Sequence, residues 1–152
     1  MAEMQVISDE RSLKTVLGSC VGIIVRDRDR KVSGLAHVML PARRSDDEAS
    51  GKYADSAIPA LLADMTRRGC RVTSMQALLV GGAQMFPMGG AGIASIGDKN
   101  VDAARRVLAE RKIPIVFEDT GGTAGRTVVF SNVTGEVTVR TLKALLPRGG
   151  TP

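Results

Sequence analysis

Leu17-Gly18-Ser19-Cys20-Val21-Gly22-Ile23-Ile24-Val25 and Val32-Ser33-Gly34-Leu35-Ala36-His37-Val38-Met39-Leu40 are two short apolar runs, and their reading decides the fold. Between them lies Arg26-Asp27-Arg28-Asp29-Arg30-Lys31, a polar stretch suited to a turn. The pattern predicts an antiparallel hairpin with a four-residue loop at 27–30, because Arg28-Asp29 is not a favoured two-residue turn. In that register Val25 faces Val32, Ile23 faces Gly34 and Cys20 faces His37. Directly opposed residues share a face, with Cβ atoms roughly 4.5–5.5 Å apart. A thiol and the chain's single imidazole are thereby brought together by local geometry. A slip of one residue would send them to opposite faces, so the prediction stands on the register.

Outward from the hairpin, residues 4–8 read as a short strand and 9–14 as a polar connection. Pro41 ends the second hairpin strand, and 42–52 is a charged loop containing Gly and Ser, long enough to be a functional one. Asp55 or Ser56 can cap a helix that runs to about Arg68, with Pro59 in its first turn. Its Ile58, Leu61, Leu62 and Met65 recur at helical spacing and define an inner face. Gly69 suits the C-cap, and Cys70 after it reads as a small buried hydrophobe. Residues 75–80 form a buried strand. The segment 81–97 holds much of the glycine but matches no P-loop and no G-x-G-x-x-G after the strand. It reads as a close-packed loop walling a site, with Gly81, Gly82, Gln84 and Met85 as its substrate-side candidates.

Asp98 can cap a second helix to about Arg111, with Val101, Ala104, Val107 and Leu108 inward. A strand begins at Ile115, and the runs 127–133 and 136–142 form a second hairpin through Thr134-Gly135. Residues 147–152 read as a frayed tail. The order β-β-β-α-β-α-β-β-β implies an α/β sandwich with a mixed sheet, helices on its flanks, and one domain over 1–152.

Bulk composition narrows the function. The 152 residues suffice for one sizeable core. The aromatic fraction of 3%, with no Trp, disfavours nucleic-acid binding by base stacking. The net charge of +5 is scattered and serves solubility. No run is apolar enough to insert in a membrane, and the amino terminus lacks a signal-peptide core, so a cytoplasmic protein with reduced Cys20 and Cys70 is expected. Two Cys and one His without paired spacing exclude a structural metal.

Cys is a useful nucleophile as its thiolate, and a neighbouring imidazole promotes that form by taking the proton. Gly18-Ser19 suits a tight turn whose N–H groups face a developing oxyanion. Such a set fits acyl transfer through a thioester, with Thr15 or Ser19 as a hydroxyl able to orient the imidazole. Composition alone favours Cys20 as a packed residue and His37 as an ordinary strand-end residue, and the hairpin register brings the two readings level.

Leu17-Gly18-Ser19-Cys20-Val21 with His37-Val38-Met39-Leu40-Pro41 resembles the signature of the chemoreceptor glutamine deamidase family, CheD. The resemblance continues through Lys52-Tyr53, Gly81-Gly82-Ala83-Gln84-Met85, Ile96-Gly97-Asp98-Lys99-Asn100, Gly121-Gly122, Gly125-Arg126 and Thr134-Gly135-Glu136-Val137. It implies a cytoplasmic enzyme that hydrolyses glutamine carboxamides on chemoreceptor cytoplasmic domains to glutamate, without a cofactor. It implies a three-layer α/β sandwich like the catalytic domain of the cytotoxic necrotizing factor toxins. The nucleophile maps onto Cys20 and the base onto His37. The family's Thr maps onto Thr15, with Lys14 the neighbouring position that can fall in the same slot. Association with the phosphatase CheC is also implied, and with it an alternative role as a chemotaxis adaptor. Methyl-ester hydrolysis would use the same thioester route.

Overall fold

Leu13, Thr15 and Leu17 turn inward while Lys14 and Val16 between them are exposed, and this two-residue alternation makes a strand where a polar connection was expected. The computed structural model describes residues 4–43, 51–85 and 95–142. Its elements are β1 (Met4–Ile7), β2 (Ser12–Leu17), β3 (Val21–Asp27), β4 (Val32–Val38), α1 (Ala54–Arg67), β5 (Met75–Gly81), α2 (Ile96–Glu110), β6 (Ile115–Thr120), β7 (Arg126–Ser131) and β8 (Val137–Thr141). The first expected hairpin strand, 17–25, is therefore two strands. The chain leaves β2 at Leu17, turns through Gly18-Ser19-Cys20 and enters β3 at Val21.

The strands form a five-stranded sheet, β1-β4-β3-β5-β6, and a three-stranded sheet, β2-β7-β8. The larger sheet is mixed: β5 and β6 run parallel across the α2 crossover, and its other neighbours are antiparallel. Both helices pack on one face of that sheet rather than flanking it. Ile58, Leu61 and Met65 of α1 and Val101, Ala104 and Leu108 of α2 meet Val21, Ile23 and Val25 there. The other face, through Ile24, Leu35, Leu78 and Val80, packs on Leu13, Leu17, Val128 and Phe130 of the smaller sheet. The result is a three-layer α/β sandwich of helices, mixed sheet and small sheet.

Buried polar side chains pin the two sheets at each end. Asn132 Nδ2 donates to the carbonyls of Asp9 (2.7 Å) and Lys31 (2.9 Å), and its Oδ1 accepts from Ser33 (2.6 Å). At the opposite end Arg126 donates to Asp119 (3.0 Å) and to the carbonyls of Gly121 (2.7 Å) and Gly81 (3.3 Å).

The β3–β4 hairpin has a four-residue turn, but its register differs from the expected one. Val25 faces Gly34, Gly22 faces His37, and Asp27 faces Val32, leaving residues 28–31 as the turn. Asp27 explains the shift. Its buried carboxylate accepts from the N–H groups of Asp29 (2.9 Å), Arg30 (3.3 Å) and Arg71 (2.9 Å), so it closes the turn from within the ladder. Burial pushes this carboxyl up, yet the three N–H groups together outweigh it and hold the pKa below the ordinary value. Lys31, at φ 53°, completes the reversal.

Helix α1 begins one residue before the expected cap, with Tyr53 as N-cap, because Tyr53 bridges to Leu40 and Ala54 N–H donates to the Leu40 carbonyl (3.0 Å). The Ser95 hydroxyl, not Asp98, caps α2, accepting from Asp98 N–H at 3.1 Å. No helix among the described residues is long and apolar enough to cross a membrane. Residues 44–50 of the charged loop, 86–94 of the glycine-rich segment and the tail 147–152 lie outside the described residues.

Candidate active site

The turn between β2 and β3 is held by its carbonyls. Gly18 C=O accepts from Ala83 N–H (3.0 Å), Ser19 C=O from Asn100 Nδ2 (3.0 Å) and Cys20 C=O from Gly82 N–H (2.8 Å). In a trans peptide the carbonyl and the following N–H point in opposite directions, and no described peptide is cis. The N–H groups of Ser19 and Cys20 are thus directed away from these supports.

Gly81 and Gly82 lie buried beneath the turn. A Cβ at Gly81 would collide with the Cys20 carbonyl, and one at Gly82 with Val101 of α2. Their φ values of 110° and 69° also favour glycine. Gln84 is half-buried and donates its N–H to the Gly122 carbonyl (2.8 Å). Met85 is exposed and lies over Gly18 and Gly125. Of the four loop residues singled out from sequence, two therefore support the turn from below and Met85 borders it on the surface.

Cys20 is half-buried and packs against the layer between the two sheets, which contains Ile24 and Leu35. His37 follows Leu35 by two residues on β4 and is half-buried. The register pairs it with Gly22 rather than Cys20, which corrects the direct opposition expected. Cys20 itself lies one residue before β3, outside the ladder, and packs on the side of the mixed sheet that faces the small sheet.

Thr15 reaches His37 from the other sheet: its Oγ1 lies 3.0 Å from the ring Nδ1. The alternation of β2 turns Thr15 towards the mixed sheet and leaves Lys14 exposed. Burial pushes the Cys20 thiol above its ordinary pKa. Cys70 is more strongly affected. Burial, the Asp27 charge and a hydrogen bond to that carboxylate push it up to about 11.

Asn100 stands in the stretch 96–100 that carries the family resemblance, but the sequence reading assigns it no role. It is fully buried on α2, and its Nδ2 also donates to the Met39 carbonyl at 3.0 Å. A signal existed, because Asn100 sits four residues before Ala104 and seven before Val107 on the face otherwise read as apolar. Among the described residues no group of His, Cys, Asp and Glu is arranged to hold a metal.

A model of the family described as "CheD chemotactic sensory transduction" matches residues 39–141. A Methanococcus vannielii protein named "Probable chemoreceptor glutamine deamidase CheD" is 45% identical over 141 residues, 92% of this chain and 91% of its own. A Halalkalibacterium halodurans protein named "Chemoreceptor glutamine deamidase CheD" is 38% identical over 147 residues, 93% and 91% of the two chains. A Clostridium novyi protein carrying the same name with "Probable" is 42% identical, over 93% and 90%. The family match begins just after His37, whereas the relatives reach across the turn that holds Cys20. On both measures the chain belongs to the CheD family.

Proposed function

We propose that the protein is a chemoreceptor glutamine deamidase that works in the cytoplasm on receptor cytoplasmic domains, with Cys20 as nucleophile, His37 as base and Thr15 as its orienting hydroxyl. The observation that carries the reading is the 3.0 Å bond between Thr15 Oγ1 and His37 Nδ1 on the face shared with Cys20. With Nδ1 protonated and donating to Thr15, Nε2 carries the lone pair a general base requires.

In this mechanism Nε2 takes the Cys20 proton as Sγ attacks the side-chain carbonyl carbon of a substrate glutamine. The oxyanion forms against the Ser19 and Cys20 N–H groups, which point away from the groups that hold the Gly18 and Ser19 carbonyls. The imidazolium returns the proton to the departing nitrogen, and ammonia leaves. His37 then deprotonates a water that attacks the thioester, expelling the thiol and leaving glutamate. Because burial favours the neutral form of Cys20, proton transfer to His37 accompanies the attack.

The test is Cys20→Ala against wild type on a receptor cytoplasmic fragment, with one-dalton mass gains at Gln read by peptide mass spectrometry and binding by calorimetry. Turnover is expected to vanish while binding stays within about 1 kcal/mol, since one sulfur is lost at a turn held by its backbone. Deamidation persisting in the variant, with receptor alone unmodified, overturns the Cys20 mechanism. Binding to CheC without deamidation by either protein would put the adaptor role in its place.

A further inference from the structure

The β3–β4 ladder ends at the rung pairing Val21 with Val38. Cys20 lies beyond its last rung, and so do Met39 and Leu40 on the opposing chain. Strand pairing alone therefore does not fix the nucleophile relative to the base. One side chain spans the gap. Asn100 Nδ2 has two hydrogens and two acceptors, the carbonyls of Ser19 and Met39, each at 3.0 Å. Ser19 immediately precedes the thiol, and Met39 follows the imidazole by two residues.

We infer that Asn100 is a positioning residue that clasps the Cys20 turn to the His37 strand and sets the thiol–imidazole geometry. A neutral carboxamide suits the task, because it supplies both hydrogens from one nitrogen without burying a charge. Asp has no donor when ionised, and Gln is longer by a methylene. The backbone around Asn100 is seated for this reach. Gly97 packs so closely on the Gly82 and Ala83 carbonyls that a Cβ would displace it, and Ser95 caps the helix start. The Asn100 Oδ1 is buried and has no partner among the described residues.

The inference rests on the deamidase reading for its turnover measurements but not for its thiol measurements. Asn100→Ala and Asn100→Asp, the latter keeping shape while removing both hydrogens, are compared with wild type and His37→Ala. Each Asn100 variant is expected to lower kcat about 100-fold, the scale of an ångström-sized misplacement, with KM within about threefold. The pH profile of Cys20 alkylation by iodoacetamide should leave the wild-type curve and merge with that of His37→Ala. A role in stability alone would lower the unfolding midpoint and leave that profile in place. A folded Asn100 variant with the wild-type profile overturns the clasp whatever its turnover. If wild type deamidates no receptor glutamine, the deamidase reading fails and the alkylation profiles alone decide the clasp. Should neither variant fold, Asn100→Ser, which keeps one donor, and the exchange of the Asn100 carboxamide protons in wild type take over. Slow exchange of both protons is expected, and exchange as fast as at an exposed Asn overturns the proposal.

Discussion

At the residue scale the two cysteines are set apart by what surrounds their sulfurs. Cys20 is half-buried at a turn beside an imidazole strand, while Cys70 is buried against the Asp27 carboxylate. Native protein near neutral pH should alkylate at Cys20 well before Cys70, and equal rates by mass spectrometry would remove the case for an accessible nucleophile. Cys70 carries a second consequence. Its pKa rises from 9.0 to about 11 on folding, so its contribution to stability is complete below pH 9 and is lost as the pH climbs through 11. The stability advantage of wild type over Cys70→Ala in urea should shrink between about pH 9 and pH 11; a constant gap would mean the thiol is not held neutral by the fold. The sequence put Thr15 forward, beside Ser19, as a hydroxyl able to orient His37, and the structure's bond between them joins two sheets that no local pattern relates. Asn100 escaped because a polar residue on an apolar stripe shows only that it needs partners, and its partners lie on distant segments.

At the element scale, periodicity located the helices and the starts of β5, β6, β7 and β8 to within a residue or two, since each helix needs one apolar stripe and each buried strand a run of Val, Ile or Leu. It missed β2, whose core-facing set of Leu13, Thr15 and Leu17 contains a polar member and borders a polar stretch. It also misplaced the β3–β4 register, because the turn is fixed by the Asp27 carboxylate and a contact from Arg71, far along the chain. The GG and IGD glycines were legible as close packing but not as to what they pack on. The structure pairs them, with Gly97 of α2 lying on the Gly82 and Ala83 carbonyls. Gly97→Ala should therefore cost about 1–3 kcal/mol, since backbone rather than a movable side chain meets the new methyl. It should also reduce deamidation beyond what the unfolded fraction explains, because α2 carries Asn100 and Gly82 carries the Cys20 carbonyl. An Ala variant with wild-type midpoint and turnover would show the contact to be slack.

Across the whole molecule, the proposed site draws one group from each layer: Thr15 from the small sheet, His37 from the mixed sheet and Asn100 from the helices, with Cys20 on the turn that passes between the sheets. The register of the small sheet ties Thr15 to Val128 and Leu13 to Phe130, and Phe130 is the largest fully buried side chain between the sheets. Phe130→Ala should cost about 3–5 kcal/mol through lost burial and the cavity left behind. If the small sheet's role in turnover is to hold Thr15 against His37, loosening it should act through that bond. Thr15→Val alone should lower kcat by about tenfold or more, as loss of an orienting hydrogen bond of about 1.4 kcal/mol would. In Phe130→Ala, assayed where it remains folded, kcat should fall towards the Thr15→Val value. Adding Thr15→Val to it should then change little, because both substitutions remove the same support. Fully additive losses in that cycle would mean the two sheets contribute to turnover by separate routes, and the bond from Thr15 would no longer account for why a second sheet covers this face.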